Sequence, residues 1–304
     1  MQDSTLGYDH VLAISERVGF RLDEVLGRDQ ALDFTRPFLP ERLARVGELD
    51  YLSASEKLAL NHIRAHGYLS MFGLVEEFIL PFVLDHVRPR LEQVDARTRA
   101  LLQFAGEEAK HIELFKRFCT SFERDFGSRC ESVGPAREIA QAVLSHTPFA
   151  VALAILHIEW MTQGHYLESV KSDQLLDARF KSLLKNHFLE ECQHAKLDTL
   201  IASELAQQLT PEAIEGGVDE YFAIVAALDG LLVQQVALDL ASFERACSRT
   251  LSPEQRARFS ESQLAACRFT FLGSGMSHRS FVATLGSFSQ RGAELLEVAA
   301  RRFS

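Results

Sequence analysis

Apolar residues recur at helical spacing along most of the chain, and the strict alternation that marks strands is nearly absent. This pattern, together with signals for helix ends, predicts four long helices at about 53–87, 96–126, 148–171 and 174–209. Short connections between successive helices favour antiparallel neighbours, which is the arrangement of a four-helix bundle. The predicted fold class is therefore all-α.

Polar residues indicate where the predicted helices begin. The segment 53–56 reads Ser-Ala-Ser-Glu, which has the form of a capping box. Asp95 and Asp173 precede the second and fourth helices and can cap them. Thr147 followed by Pro148 is typical of a helix start, because proline is tolerated in the first turn.

The chain contains no Pro/Ser/Gly-rich linker and no low-complexity run that would divide it. We therefore predict one domain over 1–304, with the bundle at about 53–209. The flanking regions 1–52 and 210–304 are expected to add helices around it. One of these is predicted near 8–27, and two or three are predicted after the bundle.

Composition limits the class of partner and the compartment. The net charge of −10 argues against nucleic acid or an anionic membrane as the main partner. Five cysteines without a Cys-x-x-Cys pair suit a reducing cytoplasm. The N-terminus has no signal-peptide pattern, and no stretch reaches the roughly 20 uncharged apolar residues of a membrane span. A soluble, cytoplasmic protein is expected.

One motif, Glu-x-x-His, occurs twice, as Glu108 with His111 and as Glu191 with His194. Residues three apart share a helix face, so each pair presents a carboxylate and an imidazole together. Apolar neighbours on both helices indicate that these pairs face the interior. Burying four such groups without partners would cost several kcal/mol each. A bound metal would remove that cost.

Bundles that hold two metals use a Glu-x-x-His from each of two helices and one Glu from each of the other two. The third predicted helix offers Glu159, and the first offers the neighbours Glu76 and Glu77. At roughly 100° per residue, Glu77 lies on the same face as Ser70 and Gly73. Glu77 is therefore preferred, with Glu76 as the open alternative.

The charge of this ligand set suits two cations. Four glutamates carry four negative charges, which balance two ferrous ions, or two ferric ions with one bridging oxide. Carboxylate oxygens with one imidazole per metal suit iron or manganese better than zinc. We expect two Fe ions, with Mn as the alternative in one or both sites. Glu107 and Glu190 are expected to accept hydrogen bonds from ligand histidines, each on the partner helix.

A further histidine, His187, lies on the same helix face as Glu191 and His194. The order Glu, Glu-x-x-His, Glu, His-x-x-x-Glu-x-x-His resembles the di-iron N-oxygenases of the p-aminobenzoate N-oxygenase type. These are ferritin-like proteins that oxidise an aromatic amine towards the nitro compound. The resemblance covers about 53–209 and implies the ligand set Glu77, Glu108, His111, Glu159, His187, Glu191 and His194.

The resemblance implies an oxygenase that uses O₂, a small organic substrate and electrons from an external donor, with a homodimer expected. Two other hypotheses stay open: a ferritin-like iron-binding or ferroxidase protein without an organic substrate, and a structural protein with a vestigial site. His157 and His165 are expected to be polar groups of the core. Asp198 is expected either to fix a ligand histidine or to face solvent.

Overall fold

The computed structural model describes residues 2–27, 31–93 and 95–303, and within them every regular element is helical. The all-α prediction is confirmed, while a few positions of the predicted flanks lie outside the described residues. The helices are α1 (Gln2–Val18), α2 (Leu22–Val25), α3 (Glu41–Ala44), α4 (Ala54–Val87), α5 (Ala96–Phe126), α6 (Ala136–Leu144), α7 (Pro148–His165), α8 (Ala178–Ala206), α9 (Pro211–Ala246), α10 (Pro253–Arg268), α11 (Ser274–Met276), α12 (Arg279–Phe288) and α13 (Gln290–Arg302). Helical turns of 3₁₀ or π type lie at Val46–Glu48, Arg88–Arg90, Tyr166–Val170 and Phe269–Gly273.

Four long helices form a bundle at the centre of the molecule. Helix α4 packs along α5, and α7 packs along α8, while α5 also contacts α8. Helix α1 covers α5 and α8 on one side, and α9 covers α4 and α7 on another. The bundle interior is thereby enclosed by helices from both flanks of the chain.

Local signals define the helix starts as the sequence indicates. The Ser53 side chain accepts from the backbone N–H of Glu56, whose side chain binds back to the backbone of Ser53, so the capping box is present. The Asp95 side chain accepts from the backbone N–H of Thr98. Helix α5 ends at Phe126 and is followed by Gly127, where φ is 75°, a left-handed conformation that glycine adopts without strain.

Two expectations about helix number and limits are wrong. Helix α8 is capped by Asp177, whose side chain accepts from the N–H groups of Arg179 and Phe180. Asp173 instead accepts from the backbone N–H of Leu175 in the preceding turn. Both aspartates can accept from free backbone N–H groups, but only Asp177 lies directly before the first residue of the helix. After the bundle, α9 is one helix of 36 residues and α10 to α13 follow it, more than the two or three helices expected.

Two helical segments, Ala54–Arg90 and Pro211–Ala246, are long and apolar enough to cross a membrane by length and composition. In the first, 67% of the apolar window is buried inside the fold, and in the second 33% is buried. The core helix of a soluble protein passes the same test, so these segments are weak evidence for a membrane protein.

Phenylalanine rings fill the bundle at one end. Phe118 and Phe122 of α5 and Phe180 of α8 are fully buried. The ring of Phe38, from the chain before α4, stacks on Phe180 at 5.2 Å between centroids. Burying a side chain of this size contributes about 1.5–3 kcal/mol. The cluster therefore holds α5 and α8 in register, about two turns from His111 and His187.

Candidate metal centre

The bundle brings the two Glu-x-x-His motifs together. Glu108, His111, Glu191 and His194 are each at most 3% exposed. Nδ1 of His194 lies 2.8 Å from Oε1 of Glu108 and 3.0 Å from Oε2 of Glu191. Nδ1 of His111 lies 3.1 Å from Oε1 of Glu191. The four side chains therefore converge from α5 and α8 on one interior region.

The donor atoms in this region form two groups, each compact enough for one cation. Within each group the ligand atoms lie within 4.8 Å of one another. One group is Glu76, His111, His187 and Glu191, and the other is Glu108, His111, Glu191 and His194. Because His111 and Glu191 belong to both groups, the two groups adjoin. Glu191 has two carboxylate oxygens and could serve both cations, whereas Nδ1 of His111 could serve one.

The expectation that Glu77 is the ligand from α4 is wrong. Glu76 is 2% exposed, and its Oε1 lies 3.1 Å from Nε2 of His187 and 3.7 Å from Nδ1 of His111. The side chain of Glu77 is 30% exposed, and its Oε1 lies 3.0 Å from Nζ of Lys116. The structure thus brings Glu76 into the cluster and leaves Glu77 at the surface.

The physical reason is the rotation of α4. Adjacent residues are turned by roughly 100° about the helix axis, so only one of two neighbouring glutamates can face the interior. Glu76 shares its face with Phe72, which contacts the ring of His187 at 5.5 Å between centroids. A sequence signal for this choice exists, since Glu76 precedes Glu108 by 32 positions and Glu159 precedes Glu191 by the same 32.

A further glutamate directly precedes each Glu-x-x-His motif, which makes a Glu-Glu doublet. The first glutamate of each doublet orients the histidine of the other motif. Nε2 of His111 lies 2.7 Å from Oε2 of Glu190, and Nε2 of His194 lies 2.9 Å from Oε2 of Glu107. The crosswise contacts expected from the sequence are therefore present. Because a carboxylate accepts, Nε2 carries the proton in each ring, and the lone pair of Nδ1 points towards the cluster.

Several buried atoms of the cluster have no hydrogen-bond partner among the described residues. They are Oε2 of Glu76, both carboxylate oxygens of Glu108, Nδ1 of His111 and Oε2 of Glu159. Oε1 of Glu108 and Nδ1 of His194 are 2.8 Å apart although both are acceptors in this tautomer. Buried acceptors that face one another need a proton or a cation between them, and a metal ion could take that place. Oxygen-rich ligands with imidazole fit iron or manganese.

The pKa shifts reflect the crowding of charge. Burial, and then the charges of Glu108 and Glu191, raise the pKa of Glu76 well above its usual range. Burial would also raise the pKa of Glu191, but the charges of His187 and His194 hold it well below its usual range. A pair of cations would allow all these carboxylates to be ionised together.

Glu159 of α7 lies beside the second group. It is 2% exposed, and burial together with the charge of Glu191 raises its pKa well above the usual range. Glu159 belongs to neither compact group, but it interacts with Glu191, which belongs to both. Each long bundle helix thus contributes at least one carboxylate to this interior.

Other polar residues of the interior divide into two kinds. His157 contacts the hydroxyl of Tyr221 at 3.0 Å and the carbonyl of Leu272 at 3.1 Å. His165 likewise lies 2.9 Å from the hydroxyl of Tyr68, so both histidines are polar groups of the core as expected. Asp198 fits neither expectation: it is fully buried, and its oxygens have no hydrogen-bond partner among the described residues.

Sequence reasoning did not find the segment that covers the centre on the side of α5 and α8. Ser15 of α1 donates a hydrogen bond to Glu107, and Lys110 forms an ion pair with Glu190. Phe20 stacks on the ring of His111 with 6.1 Å between centroids, and the Lys110 ammonium lies 4.1 Å from the Phe20 centroid. No signal in the sequence links this segment to positions about 90 residues later.

The fold and the site together define a helical bundle with a buried carboxylate and imidazole cluster that could hold two adjacent metal ions. No protein-family model matches the chain, and no curated protein matches it.

Proposed function

We propose that this protein is a non-haem di-iron oxygenase, which activates O₂ to oxygenate a small organic substrate. The observation that supports this most strongly is the pair of adjoining ligand groups that share His111 and Glu191. A site for a single structural ion needs no second position. Two adjacent metals can pass electrons to one bound molecule, which is what O₂ activation requires.

Charge and donor type support iron, with manganese as the alternative. Four buried glutamates can together supply four negative charges: Glu76, Glu108, Glu159 and Glu191. Two divalent cations would neutralise that charge. Hard carboxylate oxygens with few imidazoles suit iron and manganese better than zinc.

The protein's own residues would hold the metals and exclude water. Glu107 and Glu190 fix the ligand histidines through Nε2. The ring centroid of Phe104 lies 4.1 Å from that of His194, and the ring centroid of Phe115 lies 5.0 Å from that of His187. Oxidation-resistant side chains therefore surround the ligands, and the metals, when bound, would supply the redox chemistry.

The resemblance to p-aminobenzoate N-oxygenases makes N-oxygenation of an aromatic amine the sharpest form of this proposal. Three further points belong to it: the bundle is ferritin-like, the chain forms a homodimer, and an external donor supplies electrons. The ferritin-like assignment is supported by the order of the contributing helices α4, α5, α7 and α8. A cytoplasmic location is supported by five free cysteines.

Metal analysis followed by reaction with O₂ tests the proposal. Protein from iron-fed cells is expected to bind about two irons per chain, and the reduced protein is expected to develop a new absorption band on adding O₂. The double variant His111→Ala/His194→Ala should lose the metal, whereas His10→Ala, at an exposed histidine, should keep it.

Absence of any transition metal in the unaltered protein would contradict the proposal. Iron loading far beyond two per chain, with no oxygenated organic product, would favour the ferroxidase alternative instead. Oxygenation of a panel of aromatic amines, measured by mass spectrometry with ¹⁸O₂, would identify the N-oxygenase form.

A further inference from the structure

A narrow apolar cleft lies between α4, α7 and α9. Its walls include Phe72 and Val75 of α4, Ile158 and Met161 of α7, and Leu228 and Leu232 of α9. No side chain that lines it carries an oxygen or nitrogen atom. A polar or charged molecule would find no partner for its hydrogen-bonding groups there.

Two residues of the cleft wall are sequence neighbours of the single glutamates. Val75 directly precedes Glu76, and Ile158 directly precedes Glu159. Phe72 lines the cleft and also contacts the ring of His187, with 5.5 Å between centroids. Phe72 therefore touches both the cleft and a histidine of the cation position formed by Glu76 and His187.

The size of the cleft restricts its occupant. It leaves about 20 Å³ for the centre of a water-sized molecule, which is roughly the room that one such molecule needs. Apolar cavities exclude water and accept small apolar guests, including noble gases. The occupant that fits both the size and the lining is a small apolar molecule.

The opposite side of the centre has a different character. There Glu107 and Glu190 bind the ligand histidines, and Lys110 pairs with Glu190 under the ring of Phe20. Most of these contacts are between polar or charged groups, whereas the cleft beside α4 and α7 offers a small apolar molecule a lining of matching polarity.

We infer that this cleft is the entry and holding site for O₂, and that Phe72 is the gate between it and the metals. The inference rests on the proposed function, because O₂ is the co-substrate of an oxygenase. It adds that the organic substrate, if it carries charge, must approach by another route.

Xenon, an apolar atom used here in place of O₂, tests the site without any metal. Crystals of metal-free protein under xenon pressure are expected to show a xenon atom between Phe72 and Leu232. The variant Leu232→Phe, which fills the cleft from α9, should remove it. Xenon bound elsewhere, or no xenon in the unaltered protein, would overturn the inference.

The rate at which reduced, iron-loaded protein reacts with O₂ tests the gate. Phe72→Leu is expected to react several-fold faster, and Leu232→Phe several-fold slower. Phe82→Leu is the matched control, because Phe82 is a buried phenylalanine of α4 that contacts His86 and does not line the cleft.

Unchanged rates in both cleft variants would refute the gate. A protein that binds no iron would instead refute the proposed function, and the xenon position would still decide whether the cleft accepts a small apolar molecule. Circular dichroism and melting temperature of each variant establish that a changed rate does not come from unfolding.

Discussion

Nε2 of His111 on α5 donates to Oε2 of Glu190 on α8, with 2.7 Å between the two atoms. The same contact is made in the other direction, from His194 on α8 to Glu107 on α5. The two Glu-Glu-x-x-His segments are therefore joined by reciprocal hydrogen bonds. The second glutamate of each doublet faces the cluster, and the first holds the histidine of the partner helix.

Removing an orienting carboxylate should weaken metal binding without removing a ligand. Glu190→Ala is expected to lower the affinity for ferrous ion about 10–100-fold, because the ring of His111 loses its fixed tautomer and orientation. Anaerobic titration with ferrous ion measures this. Glu113→Ala is the control, since exposed Glu113 lies on α5 and pairs with Arg117. Equal affinities in both variants would show that Glu190 does not orient His111.

Substituting each of two neighbouring glutamates on α4 tests which of them is a metal ligand. Glu76→Ala is expected to reduce bound iron to about one ion per chain or fewer, because that position loses its carboxylate from α4. Glu77→Ala should leave the iron content unchanged, since Glu77 pairs with Lys116 at the surface. Elemental analysis of both purified variants decides between them, and the reverse result would restore Glu77 as the ligand.

Stability of the metal-free protein should fall in mildly alkaline solution. Burial lowers the pKa of His111, but its contacts with Glu190 and Glu191 outweigh burial and raise the pKa to about 9, from the usual 6.5. A raised folded-state pKa stabilises the fold fully below pH 6.5 and loses that effect as the pH rises through 9. We expect a loss on the order of 3 kcal/mol in unfolding free energy across this range.

Urea denaturation at a series of pH values measures that loss. Protein loaded with ferrous ion under anaerobic conditions should show a smaller loss, because the cations replace the proton on Nδ1 of His111. The variant His111→Gln has no group to titrate and should also show a smaller loss. A metal-free protein with constant stability between pH 6.5 and 9 would contradict the expectation.

Close packing around His157 should make one glycine irreplaceable. A Cβ atom at Gly275 would lie 2.0 Å from Cδ2 of His157 and 2.9 Å from its carbonyl oxygen. Gly275→Ala is therefore expected to destabilise the fold by at least about 1–3 kcal/mol. Gly230 of α9 has open space at the same atom, so Gly230→Ala should stabilise by about 0.5–1 kcal/mol. Denaturant midpoints of the two variants should shift in opposite directions.

The local features of the fold were predictable because they depend on residues close in sequence. The capping box at Ser53 and the cap at Asp95 join side chains to backbone groups three residues away. The i,i+3 geometry of Glu108 and His111 depends only on the helix. These features need no knowledge of what packs against them.

The choice between Glu76 and Glu77 depends on tertiary packing and could not be made from polarity. Polar residues usually mark the solvent face of a helix, but on α4 they are buried too. Arg64 is 2% exposed and lies 3.3 Å from Asp239 of α9, and His66 is 4% exposed. Helix α9 covers the face of Arg64, and Phe122 of α5 packs against His66 with 5.0 Å between ring centroids. Polarity therefore does not show which side of α4 turns towards the metals.

The contact between Ser15 and Glu107 has a consequence for the order of assembly during synthesis. The N-terminal segment emerges from the ribosome first, yet the surface on which Ser15 and Phe20 rest includes Glu107, His111 and, through its ion pair with Lys110, Glu190. Helix α1 can therefore dock only after translation has passed α8. Until then Tyr8 and Val11, which the finished fold buries, stay in contact with water.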